Sequence, residues 1–340
     1  MEHVALFPFA EYWWFYASFT VVVLLFLAAD LGIFHQDSQV VNFRQALLWC
    51  GVWVGLAMAF NYGLYVYANW RFPQVERLMS IPGFDPAAAA KQVALEFLTG
   101  YVLEESLSVD NMFVFVVVFS YFGVPQQYQR RVLFFGILGA LLFRALFIAL
   151  GSALLQFQWA MYVFGGILIL TGLKMMFGSE TEIHPDTNPV LRLFRRFVPV
   201  TKTMHGPNFF VHLNGQLHAT PLLICLLFLE LTDILFAIDS VPAIFGVTRE
   251  PMIVYTSNIF AILGLRSLFF LLSGAVQLFH LLKYGLAAVL IFVGLKMVWL
   301  NPLYGGHFPI GISLSVILGT IGVSIVLSLL IRPKTSVSAP

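Results

Sequence analysis

The sequence predicts an all-α polytopic membrane protein of about nine transmembrane helices, among which two three-helix repeats are inverted. Three observations carry this expectation. First, the 340 residues are 60% hydrophobic and only 10% charged, with a mean hydropathy of +0.88, whereas a soluble domain is about 25% charged. Second, apolar runs of the roughly 20 residues needed to cross the hydrocarbon recur nine times. They fall at roughly 13–33, 43–68, 93–120, 131–152, 158–177, 220–245, 252–275, 282–300 and 310–331. Third, the block of spans three to five returns as spans six to eight.

The chain reads as one transmembrane domain, 1–340, with connections that are short except at about 69–92 and 178–219. The Lys and Arg residues outside the spans fix an expected orientation. With the N-terminus outside, the inner segments hold eleven of them, from Arg44 and Arg130 through the Arg192–Lys202 cluster to Arg332 and Lys334. The outer segments hold five: Arg71, Arg77, Lys91, Arg249 and Lys296. That bias follows the positive-inside rule and predicts an outer N-terminus and an inner, cytoplasmic C-terminus; Trp13, Trp14, Trp49, Trp70, Trp159 and Trp299 near span ends fit an interfacial belt in the lipid bilayer. Glu2 and Glu11 leave no basic leader region, so the first span is expected to be a retained helix. Cys50 and Cys225 lie in apolar runs without metal or disulfide spacing and read as small core residues. A net charge of +1 points to no nucleic-acid partner.

Segment 178–219 reads as a polar cytoplasmic loop. Near its end, Phe209–His218 places Asn214-Gly215 between two short alternating runs, the signal of a hairpin with a type I′ turn. An ordered linker and a flap over an inner pathway mouth both fit it.

The repeat is explicit. Gly172-Leu173-Lys174-Met175 matches Gly294-Leu295-Lys296-Met297 at an offset of 122, as do Arg144 with Arg266 and Phe147 with Phe269. Upstream the offset is 129, pairing Glu104 with Asp233, Asp110 with Asp239 and Asn111 with Ser240. Repeat 1 spans about 93–177 and repeat 2 about 220–300. Three spans per copy is an odd number, so the second copy enters the membrane from the opposite side, as in many secondary transporters.

Chemistry concentrates in the repeated acids. A charge at the bilayer centre costs about 2.5–3.5 kcal/mol on insertion scales, so four carboxylates cost on the order of 10 kcal/mol if unneutralised. Glu104, Asp110, Asp233 and Asp239 are therefore candidate metal ligands, joined by Asn111 and by Glu230, which lies three residues before Asp233 on the same helix face. Ser108, Thr232 and Ser240 add hydroxyl oxygens. Glu105 is weaker, because Ile234 takes its place in repeat 2. Arg144, Arg266 and Asp30 are candidates for counter-ions or gating groups, and acid–arginine pairs that merely fasten helices are the bland alternative. Glu96 is expected to be solvated at the outer end of its span. An oxygen-only donor set suits a hard divalent cation such as Mn²⁺, Mg²⁺ or Ca²⁺. Six residues on one helix stand about 9 Å and 120° apart, so the expected partners lie across the repeat: Glu104 with Asp239, and Asp110 with Asp233. Unwinding at Asp110-Asn111 and at Asp239–Pro242 is expected to draw the four together.

The stretches Leu103-Glu104-Glu105-Ser106-Leu107-Ser108-Val109-Asp110-Asn111, Leu229–Ala243, Ser257–Arg266 and Leu282-Lys283-Tyr284-Gly285 resemble the TerC family of integral membrane proteins, and within it the bacterial Alx type. The resemblance covers nearly the whole chain. It implies a bacterial inner-membrane protein linked to manganese export, with associations to tellurite resistance and to redox or alkaline-pH responses, in which the acids matching Glu104, Asp110, Asp233 and Asp239 hold the metal. The expectation is thus a Mn²⁺ efflux carrier working by alternating access, with protons as a coupling partner, no prosthetic group and no enzymatic activity. The rivals are export of another cation or a small organic substrate, and a membrane-embedded assembly or redox-modulating partner that docks through 178–219. A redox enzyme is the weakest reading, since the eight histidines lie in loops or at span edges.

Overall fold

The computed structural model of the chain describes residues 5–34, 43–154, 157–178, 198–201, 203–213, 215–272, 281–304 and 308–331, together with Arg196. Helices occupy the apolar runs: α1 (Phe9–Phe34), α2 (Phe43–Arg71), α3 (Pro86–Tyr121), α4 (Gln126–Leu154), α5 (Gln158–Phe177), α6 (Pro221–Phe245), α7 (Pro251–Leu272), α8 (Leu282–Leu295) and α9 (Ile310–Leu330). Eight segments of the described residues are long and apolar enough to cross a membrane, so the fold is that of an all-α polytopic membrane protein. The charged helix α3 is longer than any of these. Its 36 residues make about 54 Å at 1.5 Å per residue, well beyond a ~30 Å hydrocarbon layer.

Local chemistry sets the helix ends. Asp85 caps α3, its carboxylate accepting from the amides of Ala87 at 2.9 Å and Ala88 at 3.2 Å, and Pro86 supplies the fixed φ suited to a first turn. Pro221 and Pro251 open α6 and α7 in the same way. The chain leaves α8 through a π-helical turn, Lys296–Leu300. Ahead of α6, β1 (Phe210–Leu213) and β2 (Gln216–Ala219) form an antiparallel hairpin with Leu213 opposite Gln216. Gly215 takes φ 79° in its turn, a conformation that glycine adopts at little cost.

Membrane helices gain little from hiding apolar surface from lipid, so close backbone approach and polar contacts decide how they pack. Helix α7 is central, with 78% of its spanning window buried against 11% for α2 and α9. It packs on α2, α3 and α4, while α6 packs on α3, α4 and α5 and α8 lies against α5 and α9. Helix α1 joins through aromatic contacts of Phe15 and Phe19 with Phe60, and through Thr20 Oγ1 at 2.6 Å from the Tyr255 hydroxyl.

The contacts are reciprocal under the repeat. α3 meets α7 as α6 meets α4. Between α5 and α8, a Cβ on Gly172 would stand 2.8 Å from the carbonyl oxygen of Ala287 and 3.1 Å from the amide of Ile291. A Cβ on Gly294 would stand 2.7 Å from the carbonyl of Gly165 and 3.1 Å from the amide of Ile169. An offset of 122 carries each of these pairs onto the other. As positions descend in α5 their partners ascend in α8, so the pair is antiparallel about a local two-fold.

Two local expectations fail. α3 runs unbroken through Asp110-Asn111, and α6 runs through Pro242 to Phe245. Pro242 removes one amide donor only three residues before the helix ends at Phe245, so one hydrogen bond is lost near the terminus without unwinding.

Candidate functional site

Glu104, Ser108 and Asn111 are spaced i, i+4, i+7 and share one stripe of α3; all three are buried. Their equivalents Asp233, Ala237 and Ser240 form a buried stripe on α6, and α3 and α6 are in contact. Arg144 of α4 reaches in between them.

Only 1% of Arg144 is exposed, and Glu104 is wholly enclosed. The guanidinium forms an ion pair with Glu104, lies 3.8 Å from Asp233 Oδ1 and donates to Asn258 Oδ1 of α7 at 3.0 Å. Asn258 in turn donates to the carbonyl of Val254 at 2.8 Å, which fixes its amide with the oxygen toward Arg144. One arginine therefore ties four helices, α3, α4, α6 and α7, and the two acids it bridges are repeat equivalents. A planar fork of five donors suits this task in a way that a lysine ammonium does not.

Donors and acceptors both go unmet here. Glu104 Oε2, Asp233 Oδ2, Glu230 Oε2, the hydroxyls of Ser108 and Ser240, and Arg144 Nε and Nη2 are buried without a hydrogen-bond partner among the described residues. Beside them lies a cavity of about 20 Å³ bounded by Met112, Leu133, Gly136, Glu230, Asp233 and Arg266, among others, room for one water molecule or ion. Glu230 gains its place because Gly139 of α4 has no side chain; a Cβ there would collide with the Glu230 carboxylate. Thr232 is committed locally, donating to the carbonyl of Phe228 at 2.6 Å.

The expected partners of Glu104 and Asp233, namely Asp239 and Asp110, have side chains outside the described residues; what the described residues show is that Arg144 links Glu104 with Asp233. The side chains of Asp30, Asp110 and Asp239 lie outside the described residues. Among the described residues, no three His, Cys, Asp or Glu side chains converge closely enough to hold a metal. Arg266, the equivalent of Arg144, is half-buried at the cavity that Asp233 lines. Glu105 turns away toward Gly264 of α7. Both cysteines are free thiols.

Glu96, expected in solvent, is 8% exposed. Its carboxylate accepts from Gln92 at 2.8 Å and from the Thr248 hydroxyl at 2.5 Å. Next to it, Glu250 accepts from the amides of Leu6 at 2.8 Å and Phe7 at 3.2 Å, docking the segment ahead of α1. Burial pushes the Glu250 carboxyl up to about 7. Sequence reasoning passed over Thr248 and Glu250, and it quoted Asn258 only within a matching stretch. An asparagine inside an apolar helix was the available signal for the last of these.

A family model described as "Integral membrane protein TerC family" matches residues 89–336. A Myxococcus xanthus protein described as "Uncharacterized membrane protein STKORF319" is 49% identical over 93% of this chain and 92% of its own length. The Escherichia coli K12 protein described as "Putative membrane-bound redox modulator Alx" is 43% identical over 92% of this chain and 93% of its own. A Rickettsia bellii membrane protein is 39% identical over 82% and 86%. No solved structure matches the chain. By its long apolar helices, its repeated acids and these matches, the chain belongs to the TerC family of integral membrane proteins.

Proposed function

We propose that the chain is a secondary carrier that exports a divalent cation, Mn²⁺ in the first instance, across the bacterial inner membrane by alternating access. The observation that carries this reading is Arg144 bridging Glu104 and Asp233, equivalent acids from the two repeats, while their outer oxygens lack donors. Two carboxylates and one guanidinium leave a formal charge of −1, with Glu230 and Arg266 both at the adjoining cavity. Buried charges of this kind are tolerated when paired and mark ion paths when they are not. An incoming cation competes with Arg144 for Glu104 and Asp233, and Asp110, Asp239 and Asn111 complete an oxygen donor set suited to a hard ion. Once the cation leaves, Arg144 closes on the acids again, which keeps the empty carrier neutral enough to turn over. The reciprocal packing of α5 with α8 supports two inverted halves that rock about this site. Orientation follows the Lys and Arg bias, with the N-terminus outside and 178–219 inside.

Inside-out vesicles test this directly. Mn²⁺ uptake, measured with and without a pH gradient, is expected in vesicles holding the wild-type chain and lost with Glu104→Gln or Asp233→Asn at equal protein levels. Uptake that survives both substitutions would remove the site from the mechanism, and preference for another metal would change the cargo alone.

The description of the E. coli relative as a membrane-bound redox modulator favours a second reading, a membrane-embedded redox-modulating partner. On that reading, shortening 178–219 disturbs function more than neutralising the acids does.

A further inference from the structure

We infer that the membrane end formed by the starts of α3, α5 and α9 and the ends of α6 and α8 carries a binding site for a phosphate group. A basin of about 440 Å³ opens there, lined by Lys91, Gln92, Glu96, Thr248, Arg249, Lys296 and Asn301 and by the first turn of α9. Lys296 is the key. It is 3% exposed and lines the basin, and no hydrogen bond or ion pair within 4 Å engages its ammonium among the described residues. Glu96 attracts this ammonium through space, but it forms no ion pair with it within 4 Å, and both its oxygens already accept from Gln92 and Thr248. The repeat equivalent Lys174 is exposed, so burial is particular to the second copy. A π-helical turn begins at Lys296, and such turns are frequent where a side chain is set into a functional site.

The remaining lining matches. Lys91 and Arg249 add two cations, and three cations against one satisfied carboxylate leave a formal charge of +2. The side-chain oxygen of Asn301 accepts from the amide of Phe308 at 3.1 Å, leaving its NH₂ to donate. Helix α9 presents its N-terminus at Ile310 and Gly311 with no side-chain cap, so orphan amides and the positive end of the helix dipole face the basin. An oxyanion with several acceptor oxygens satisfies the ammonium groups, the guanidinium and these amides together. Five helix ends set the basin at the level of the bilayer interface, where phosphate groups lie. The phosphate belongs either to a phospholipid headgroup or to free inorganic phosphate.

The test uses the full chain, purified and delipidated in detergent. Native mass spectrometry counts bound phosphatidylglycerol, with diacylglycerol as the phosphate-free control, and a thermal-shift titration reads inorganic phosphate. Binding in either arm, weakened about tenfold by Lys91→Gln and by Arg249→Gln as expected for a lost charged hydrogen bond, supports the proposal; the responding arm identifies the source. Lys91 is exposed and Arg249 half-exposed, so both variants are expected to fold, and Lys296→Gln then tests the buried ammonium. The proposal falls if neither ligand binds, or if binding is unchanged in both surface variants. It does not depend on cation transport.

Discussion

Replacing Arg144 by Met is the most direct test of the bridge. The wild-type guanidinium serves Glu104, Asp233 and Asn258 from a position 1% exposed. Met keeps much of the length and apolar volume but removes the charge, leaving two carboxylates that are 0% and 4% exposed facing one another. Stranding a buried charge by removing its partner costs about 3–5 kcal/mol, whereas replacing all members by neutral groups of similar size is often close to neutral. Arg144→Met is therefore expected to destabilise by about 3–5 kcal/mol, and the triple variant Glu104→Gln, Arg144→Met, Asp233→Asn to recover most of it. The coupling between sites 104 and 144 should lie at the upper end of the ~0.5–3 kcal/mol seen for residues in contact. Reversible unfolding in mixed micelles measures each stability. Additive losses, or an Arg144→Met variant as stable as wild type, would show that the bridge does not hold the helices.

Three further outcomes follow from the geometry. Gly172→Ala and Gly294→Ala each drive a methyl against backbone, so each should cost about 1–3 kcal/mol; a large inequality between them in the same unfolding assay would break the local two-fold. Burial raises the Glu250 carboxyl to about 7 against 4.5 in the unfolded chain, so its contribution to overall stability is full below pH 4.5, falls as pH rises to about 7 and levels off above. Reversible unfolding across that pH range reads this, and Glu250→Gln should flatten the profile. Arg144→Lys should cost more stability than Arg266→Lys, because only Arg144 is fully enclosed, while on the carrier reading both lower transport; equal losses of stability would contradict the asymmetry.

The helices were legible because in a membrane each span must satisfy its own backbone, which makes length and apolarity nearly sufficient. Runs such as 43–68 and 310–331 became Phe43–Arg71 and Ile310–Leu330. The acid-bearing run 93–120 grew to Pro86–Tyr121, because Asp85 and Pro86 start the helix well before the apolar stretch begins. The hairpin signal was realised as β1 paired with β2 and Gly215 at φ 79°, while Asn214 lies outside the described residues. The solvated Glu96 failed for a different reason. Its burial depends on Gln92, one turn away, and on Thr248, 152 residues distant, and no local pattern announces the second contact.

At the site, the repeat identified which residues matter, but depth did not follow from it. Counting residues along each helix cannot locate where two helices cross, and the crossing decides which acids meet. The sequence expectation joined Glu104 to Asp239, whose side chain lies outside the described residues; Arg144 links Glu104 to its repeat equivalent Asp233. That link bears on mechanism. Equivalent acids at one level put both repeats in contact with a single charge, so displacing that charge acts on both halves at once. Partners staggered by six residues would form two separate sites about 9 Å apart along the axis, each able to change without the other. A carrier that alternates between two faces needs the first arrangement, because the occupancy of one centre has to bias both halves together.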